Sequence, residues 1–211
     1  MRRSWYPLAI VALLAACVGP PKGHRPIPVV PQGAELKQCL ADLNNLSARY
    51  TLLPNQDHGA GCSTFSSVKL AGVGIPVTNI AAIQCPLARA LALWPRDAVQ
   101  PAARRVLGSP VVRLESMGSY SCRNVVGRPQ VAGTRSEHAT ANAVDIGAFV
   151  LADGRRITIA AGWNGTDDEM KFLRSIRAAA CKRFQTVLSP DFNAAHHDHL
   201  HFDLGRGPFC R

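Results

Sequence analysis

The sequence predicts a single α+β domain, disulfide-stabilised, with a central antiparallel sheet flanked by helices. Apolar residues recur at helical spacing in some segments, and short apolar segments of strand length lie between them. Asp153-Gly154 separates two such segments, as the turn of a β-hairpin does. Helices and antiparallel strands mixed in this way are typical of α+β folds, and neither an internal repeat nor a second domain is evident.

Three helices are predicted. Leucines and one cysteine at helical spacing indicate a helix over residues 35–48. A second helix begins at Pro86, and we expect Pro95 and Pro101 to break or restart it. Thr166 and Glu169 have the spacing of a capping box, and the apolar stripe that follows predicts the clearest helix of the chain.

The strands are shorter and connect these helices. The hairpin around residues 153–154 joins the most clearly patterned pair, and the last predicted strand lies near the carboxyl terminus. Strands are expected at residues 49–53, 68–73, 75–80, 111–117, 143–151, 155–160, 187–188 and 199–204.

The amino terminus has the pattern of an export signal. Two arginines precede a short apolar stretch over residues 5–16, and the stretch ends in Leu14-Ala15-Ala16-Cys17, which resembles a bacterial lipobox. We therefore expect residues 1–17 to be a lipoprotein signal peptide and Cys17 to be acylated, because the stretch is too short to span a bilayer. Val18 stands where an aspartate would resemble an inner-membrane retention signal. This predicts a cell-envelope protein that is anchored in the outer membrane and faces the periplasm.

A proline-rich tether and a folded domain should follow. Residues 18–33 hold five prolines and few large apolar side chains, a composition typical of a stiff, extended linker. The folded domain is therefore expected to span residues 34–211.

Cysteine number and net charge agree with export. Six cysteines remain beyond Cys17, an even number that favours up to three disulfides in an exported domain, with 15 possible pairings. The net charge is +10, or +8 without the two arginines of the signal, which favours a polyanionic surrounding such as an acidic wall polymer. Export argues against nucleic acid as the partner. The disulfide candidates are Cys39, Cys62, Cys85, Cys122, Cys181 and Cys210.

Histidines cluster near the carboxyl terminus. Four of the seven lie in His196-His197-Asp198-His199-Leu200-His201, a density that packing alone seldom requires. If residues 199–203 form a strand, His199, His201 and Asp203 share one face while Leu200 and Phe202 point into the core. Asp203 is then placed either to orient a ligand histidine or to make an ordinary hydrogen bond.

A second group of donor residues lies upstream. His138 and Asp145 offer a nitrogen and a carboxylate oxygen, and one histidine of the tail completes a set of two histidines and one carboxylate. Such a set leaves a fourth position for water, which is typical of catalytic zinc sites. The alternative is a hydrogen-bonded polar cluster without metal. A cysteine zinc site is disfavoured because the chain has no CxxC pair.

These motifs resemble a known group of enzymes. Ser136-x-His138 followed by Ala143-x-Asp145 and a later His-x-His is similar to the zinc peptidases that include D-Ala-D-Ala carboxypeptidases and the hedgehog-type fold. The tail is most similar to that of the penicillin-insensitive murein endopeptidases. Nearly the whole domain also resembles the bacterial extensin-like C-terminal domain, through residues 118–123, 136–139, 145–146, 172–174 and 193–196.

The resemblance implies roles for individual residues. It makes His138, Asp145 and His201 the ligands of one Zn²⁺ per chain. His199 would act as a base or stabilise the oxyanion, and His196 would be a second auxiliary histidine.

Two positions depart from the pattern of the group. Ala141 stands where the group usually has a glycine. Carboxypeptidases of the group carry a catalytic glutamate shortly before the last histidine, and this chain has no glutamate between Gln185 and His201. The missing glutamate favours a histidine-assisted endopeptidase over a carboxypeptidase. Arg123 is a candidate to bind a substrate carboxylate, and Tyr120 is a candidate substrate contact.

Together these observations predict a lipid-anchored, monomeric zinc peptidase that hydrolyses peptide bonds in peptidoglycan stems or cross-links. Two other classes stay open. One is a non-catalytic, metal-containing lipoprotein that binds the cell wall. The other is an envelope protein that stores or senses metal, for which the histidine-rich tail is the only support.

Overall fold

The computed structural model describes Met1 and residues 32–211. The predicted signal peptide, Cys17 and nearly all of the predicted tether lie outside the described residues. Among the residues that are described, no helix has both the length and the apolar character needed to cross a bilayer.

Helices are found in three regions of the chain, as the sequence predicts. The α-helices are α1 (Ala34–Asn45), α2 (Cys85–Trp94), α3 (Gln100–Ala102), α4 (Ile159–Gly162) and α5 (Asp167–Ala180). Shorter 3₁₀ turns occupy Pro129–Val131, Glu137–Thr140 and Ala194–His196. The capping box of α5 is confirmed: Thr166 accepts from the Glu169 backbone amide and Glu169 reaches back to that of Thr166.

The two prolines change the helix type but do not interrupt the helical path. α2 ends before Pro95, yet the chain stays helical through π-helical turns at Pro95–Val99 and Ala103–Leu107. The expectation that Pro95 and Pro101 break or restart the helix holds for the α-helical geometry, because α2 ends at Trp94 and α3 begins at Gln100, although the chain stays helical between them. A proline lacks an amide hydrogen and its ring crowds the carbonyl four residues back. The wider π turn gives that ring room, and its backbone bonds run across five residues, as from the Gln100 N–H to the Pro95 carbonyl.

Twelve strands of the described chain form three sheets. A three-stranded sheet has the order β1-β4-β6, and β2 and β3 form a separate hairpin. The main sheet has seven strands in the order β12-β10-β11-β8-β7-β5, with β9 also paired to β8. The bounds are β1 (Ala48–Leu52), β2 (Asp57–Gly59), β3 (Cys62–Ser63), β4 (Ser67–Val73), β5 (Val77–Thr78), β6 (Ile83–Gln84), β7 (Val111–Gly118), β8 (Ala143–Leu151), β9 (Arg156–Thr158), β10 (Thr186–Leu188), β11 (Leu200–Asp203) and β12 (Phe209–Cys210).

The main sheet is mixed, which corrects the expectation of an antiparallel sheet. Its central strands β7, β8, β11 and β10 pair antiparallel, but the short outer strands β5 and β12 pair parallel with β7 and β10. A parallel pair requires a long crossover. The helical segment between β5 and β7 supplies one, and the sequence pattern does not reveal that β5 pairs with β7. Of the strand expected at residues 75–80, only Val77–Thr78 forms in the main sheet.

The helices cover one face of the main sheet. The Trp94 ring lies 4.9 Å from that of Phe202 and 5.9 Å from that of Phe149, and its indole N–H donates to the Ile176 carbonyl. Leu200 and Phe202 are fully buried in this core. Alternate residues of β8 and β11 therefore face away from the helices, as predicted for β11.

Three disulfides join distant segments, as the even cysteine count predicts. They pair Cys39 with Cys85, Cys62 with Cys122, and Cys181 with Cys210. The first links α1 to α2, and the last links the end of α5 to β12. The second joins the β2–β3 hairpin to the segment after β7.

Candidate metal centre

Strand pairing places two of the predicted ligands side by side. In the antiparallel register of β8 and β11, Asp145 lies directly opposite His201. Their neighbours Val144, Ile146 and Leu200 are buried in the core, so both polar side chains lie on the other face of the sheet.

His138 reaches the same point from a short 3₁₀ turn. Ser136 caps the Glu137–Thr140 turn by accepting a hydrogen bond from the His138 backbone amide. The turn ends at Ala141, whose φ of 57° lies in the left-handed region, and the chain then enters β8. Ala141 thus adopts the conformation expected of the glycine that it replaces.

The three side chains converge closely. Their potential ligand atoms all lie within 4.8 Å of one another. The Asp145 carboxylate lies 3.1 Å from His138 Nε2 and 2.9 Å from His201 Nδ1, and the two nitrogens are 3.2 Å apart. The sequence-predicted ligand set is therefore brought together at one site.

Two further contacts determine which nitrogen of each histidine faces that site. His138 Nδ1 lies 2.5 Å from the Ser119 carbonyl, which only accepts, so Nδ1 carries the hydrogen. His201 Nε2 lies 3.0 Å from Asp203, whose other oxygen accepts from the Gly205 amide. His138 Nε2 and His201 Nδ1 thereby face the Asp145 carboxylate. A metal ion bound there would take the place of the hydrogens that join these nitrogens to Asp145. Two imidazoles and a carboxylate with such outer partners fit a Zn²⁺ ion.

The electrostatics of the cluster follow from burial and from the two carboxylates. Burial opposes a charge on His201, but hydrogen bonds to Asp145 and Asp203 outweigh it and raise the pKa of His201 to about 9. Burial likewise opposes the charge of Asp145, yet the bonds from His138 and His201 lower the pKa of that carboxyl. Asp145 and His201 therefore form a buried ion pair in the absence of metal, and a metal ion would have to displace the His201 Nδ1 proton to bind there.

The auxiliary histidines lie beside the three ligands. His199 Nε2 is 3.6 Å from an Asp145 oxygen, and its Nδ1 is 2.8 Å from Asp198. The His196 ring lies 5.1 Å from the His199 ring, and its Nδ1 bonds to the Asn193 side-chain oxygen at 2.7 Å. Burial, followed by the positive charges of His201 and His199, lowers the pKa of His196 to about 4. His197, by contrast, points away, with 72% of its side chain exposed.

A cavity of about 580 Å³ opens onto this cluster. Its walls come from residues 123–138, from β10, and from the segments around β11. Arg123 lines the cavity, whereas Tyr120 is not part of the lining. The Tyr120 ring instead packs 5.1 Å from the His58 ring. The structure therefore places Arg123, but not Tyr120, beside the predicted ligands.

Sequence reasoning missed three partners of the histidines. Asp198 directly precedes His199, and Asn193 lies three residues before His196, so both were visible as neighbours. Ser119 gave no signal, because it acts through a backbone carbonyl that every residue has. Asp203 takes the first of the two roles considered for it, since it holds His201.

Comparison with known proteins agrees with the fold-wide resemblance. The family model described as extensin-like protein C-terminus matches residues 37–211. No curated protein and no solved structure gave a significant match. Because the match covers nearly all of the described domain, the chain belongs to the extensin-like protein C-terminus family.

Proposed function

We propose that this protein is a zinc-dependent peptidase, related in fold to the hedgehog-type and D-Ala-D-Ala peptidases, that hydrolyses peptide bonds of peptidoglycan as an endopeptidase. The observation that carries the proposal is the convergence of His138, Asp145 and His201 at a cavity of peptide size. Three protein ligands beside an open cavity leave a position for water, whereas a structural site is normally closed by four.

The ion would be held by His138 Nε2, His201 Nδ1 and Asp145. When bound, Zn²⁺ supplies a Lewis acid and brings the pKa of a coordinated water towards about 7. The protein's own residues do the remaining work. Ser119 and Asp203 keep both histidines in the tautomers that ligation requires.

The two auxiliary histidines have different protonation chemistry. Asp198 holds His199 Nδ1, so His199 Nε2 faces the ligand cluster and can hold a proton there. This position suits stabilisation of a developing oxyanion or protonation of a leaving amine. His196, whose pKa is lowered to about 4, is neutral at pH 7 and presents Nε2 as an acceptor because Asn193 holds its Nδ1.

The cellular setting supports peptidoglycan as the substrate. The export pattern, the three disulfides and the positive net charge fit an envelope protein next to an acidic wall polymer. We include in the proposal a lipid anchor at Cys17, a periplasmic position on the outer membrane, and a monomeric state.

The test is mass spectrometry of purified sacculi incubated with the full chain, with and without added zinc. We expect new muropeptides from the unmutated protein and from His197→Ala, whose exposed side chain makes it the matched control. His201→Ala should give none, because it removes a ligand. The product masses identify the cleaved bond.

Other outcomes would contradict the proposal. No product from a chain that binds one zinc tightly and also binds sacculi would favour the non-catalytic wall-binding lipoprotein. Several weakly bound ions per chain would favour metal storage.

A further inference from the structure

Four arginines line the cavity beside the candidate metal centre. Three come from the segment between β7 and β8, and the fourth comes from the turn after β11. They are Arg123, Arg128, Arg135 and Arg206. The positive charges therefore stand on two separate parts of the wall.

These four arginines differ from most others in the described chain. Seven arginines each lie within 4.0 Å of a carboxylate, namely Arg89, Arg96, Arg113, Arg155, Arg156, Arg174 and Arg183. Within Met1 and residues 32–211, no cavity arginine has such an ion pair. Arg135 donates to the Ala60 carbonyl and the Asn124 side chain, and Arg123 to the Asn124 carbonyl. The Arg128 guanidinium lies 5.9 Å from the Phe209 ring centroid.

The acidic residues in the lining offset these charges only in part. Burial raises the pKa of Glu137, and the charge of Arg206 acts in the opposite direction. Glu137 accepts from the Asn142 side chain at 2.7 Å, and Asp203 accepts from His201 and the Gly205 amide. The cavity thus presents four guanidinium groups against two carboxylates, both with other partners. Much of the remaining lining is aliphatic, including Val125, Val131 and Leu188.

We propose that the cavity selects peptides carrying at least two free carboxylates outside their peptide bonds, and discriminates against the same peptides when those groups are amidated. This inference rests on the proposed function for the peptide nature of the ligand. Arg135 already uses two of its donors on Ala60 and Asn124. A carboxylate has about four lone-pair sites and a bidentate arginine occupies two, so the remaining guanidinium donors on the two parts of the wall match two carboxylates. The aliphatic lining suits the carbon chains between them.

The positive charge and the donor groups of the arginines explain why amidation of the peptide should weaken binding. A carboxamide carries no charge and replaces one acceptor oxygen with donors, which face the donors of arginine. The positive walls would further attract acidic peptides from solution, an effect that salt weakens.

The test compares two synthetic peptidoglycan stem peptides that differ only in having free carboxylates or carboxamides. Binding is measured by calorimetry to the zinc-loaded full chain carrying His199→Ala, so that turnover does not consume the peptide. We expect the acidic peptide to bind at least about tenfold more tightly, as hydrogen bonds to charged groups imply. Arg128→Gln and Arg206→Gln should each reduce that preference several-fold. Arg104→Gln, on an exposed helical site away from the cavity, is the matched control.

Affinities of the two peptides within about twofold of each other, or equal effects of the cavity variants and the control, would overturn the inference. Thermal unfolding of each variant verifies folding. If a cavity variant unfolds, the inference is tested instead by the salt dependence of peptide affinity in the His199→Ala protein. Only the acidic peptide should bind more weakly as the salt concentration rises. Selective binding without cleavage of sacculi would refute the peptidase and leave this selectivity standing.

Discussion

At the residue scale, one carbonyl and one carboxylate determine where a cation can bind. Ser119 and Asp203 hold the outer nitrogens of His138 and His201, so both inner nitrogens face Asp145 at the point where the proposed ion would bind. Without these partners each imidazole is free to rotate or to exchange tautomers, and the ligand set loses its preorganisation.

Asp203→Asn should therefore weaken zinc binding by about 10–100-fold, the usual effect of losing an outer partner of a ligand histidine. Competition with a chromophoric chelator measures the affinity. Asp198→Asn is the matched control, because Asp198 holds His199, which is not a proposed ligand. Equal losses in both variants would show that Asp203 has no special role in orienting His201.

Ala141 gives a second residue-scale prediction. An alanine in the left-handed region is strained by roughly 1–2 kcal/mol, and glycine relieves that strain but loses a buried methyl group worth about 0.8 kcal/mol. Ala141→Gly should thus change the free energy of unfolding by less than about 1 kcal/mol. Ala141→Val should cost more than about 2 kcal/mol, because a β-branched residue tolerates positive φ poorly. Urea unfolding measures both, and a stable valine variant would refute this account.

The sequence predicted ligands better than their surroundings. Residue types and spacing pointed to His138, Asp145 and one histidine of the tail, and the family resemblance selected His201, which the structure brings together with the other two. The position of Tyr120 was not, because its packing on His58 accompanies the Cys62–Cys122 link between two distant segments. Six cysteines allow 15 pairings, and composition does not choose among them.

At the scale of elements, the spacing of apolar residues predicted helix α5 and strand β11. Alternate residues of β11 face the core, as expected. The prolines mark where the α-helix ends and restarts, but the π-helical turns of the segment around Pro95 and Pro101 were not predicted, because the rule for proline assumes a regular α-helix. Packing of Trp94 against the sheet holds this segment helical, and π turns accommodate the rings. The parallel pairings of β5 and β12 escaped prediction because two-residue strands carry no periodic pattern.

One contact network fixes the segment that leads to His196. The Trp163 indole N–H donates to Asp191 at 2.8 Å, and Arg174 donates to the other oxygen at 3.0 Å while its guanidinium lies over the Trp163 ring. The bond from Trp163, and secondarily that from Arg174, lowers the pKa of Asp191. The network ties α5 to the segment after β10.

Asp191→Asn should lower the free energy of unfolding at pH 7 by up to about 1 kcal/mol, a limit set by solvent screening at this exposed site. Because the folded-state pKa of Asp191 lies below its unfolded value, its contribution is fully present above about pH 4 and is lost as the pH falls through the folded-state pKa. Urea unfolding at pH 7 and at about pH 2.5 should show a smaller difference at the lower pH, where the carboxyl begins to protonate. An equal difference at both values would contradict an electrostatic origin.

At the scale of the whole molecule, two of the disulfides constrain different parts of the domain. The Cys39–Cys85 bond joins helices on the core side, whereas Cys62–Cys122 attaches the β2–β3 hairpin to the segment that carries Arg123. Arg135 strengthens the second attachment by donating to the Ala60 carbonyl. Both bonds close long loops, but only one borders the candidate site.

Removing either bond by paired Cys→Ser substitutions should lower the free energy of unfolding by about 2–5 kcal/mol. Loss of Cys62–Cys122 should also weaken zinc binding, because the same segment includes Ser119, which orients His138. Loss of Cys39–Cys85 should leave zinc affinity unchanged in the folded protein. Parallel unfolding and chelator-competition measurements separate the two effects, and identical zinc affinities would show that the hairpin does not support the centre.

The pairing of Asp145 opposite His201 has a consequence for how such a molecule can change. A one-residue insertion within β8 or β11 would turn one of these side chains to the helix-covered face and dismantle the donor set. The arginines of residues 123–135, His196 and His199 lie outside those strands, on segments whose length is not set by a ladder. The domain therefore separates two paired strands that tolerate no change of length, and that would hold the proposed cation, from loop segments that would contact the proposed substrate. Grafting those segments is the route to altering the proposed specificity without rebuilding the centre.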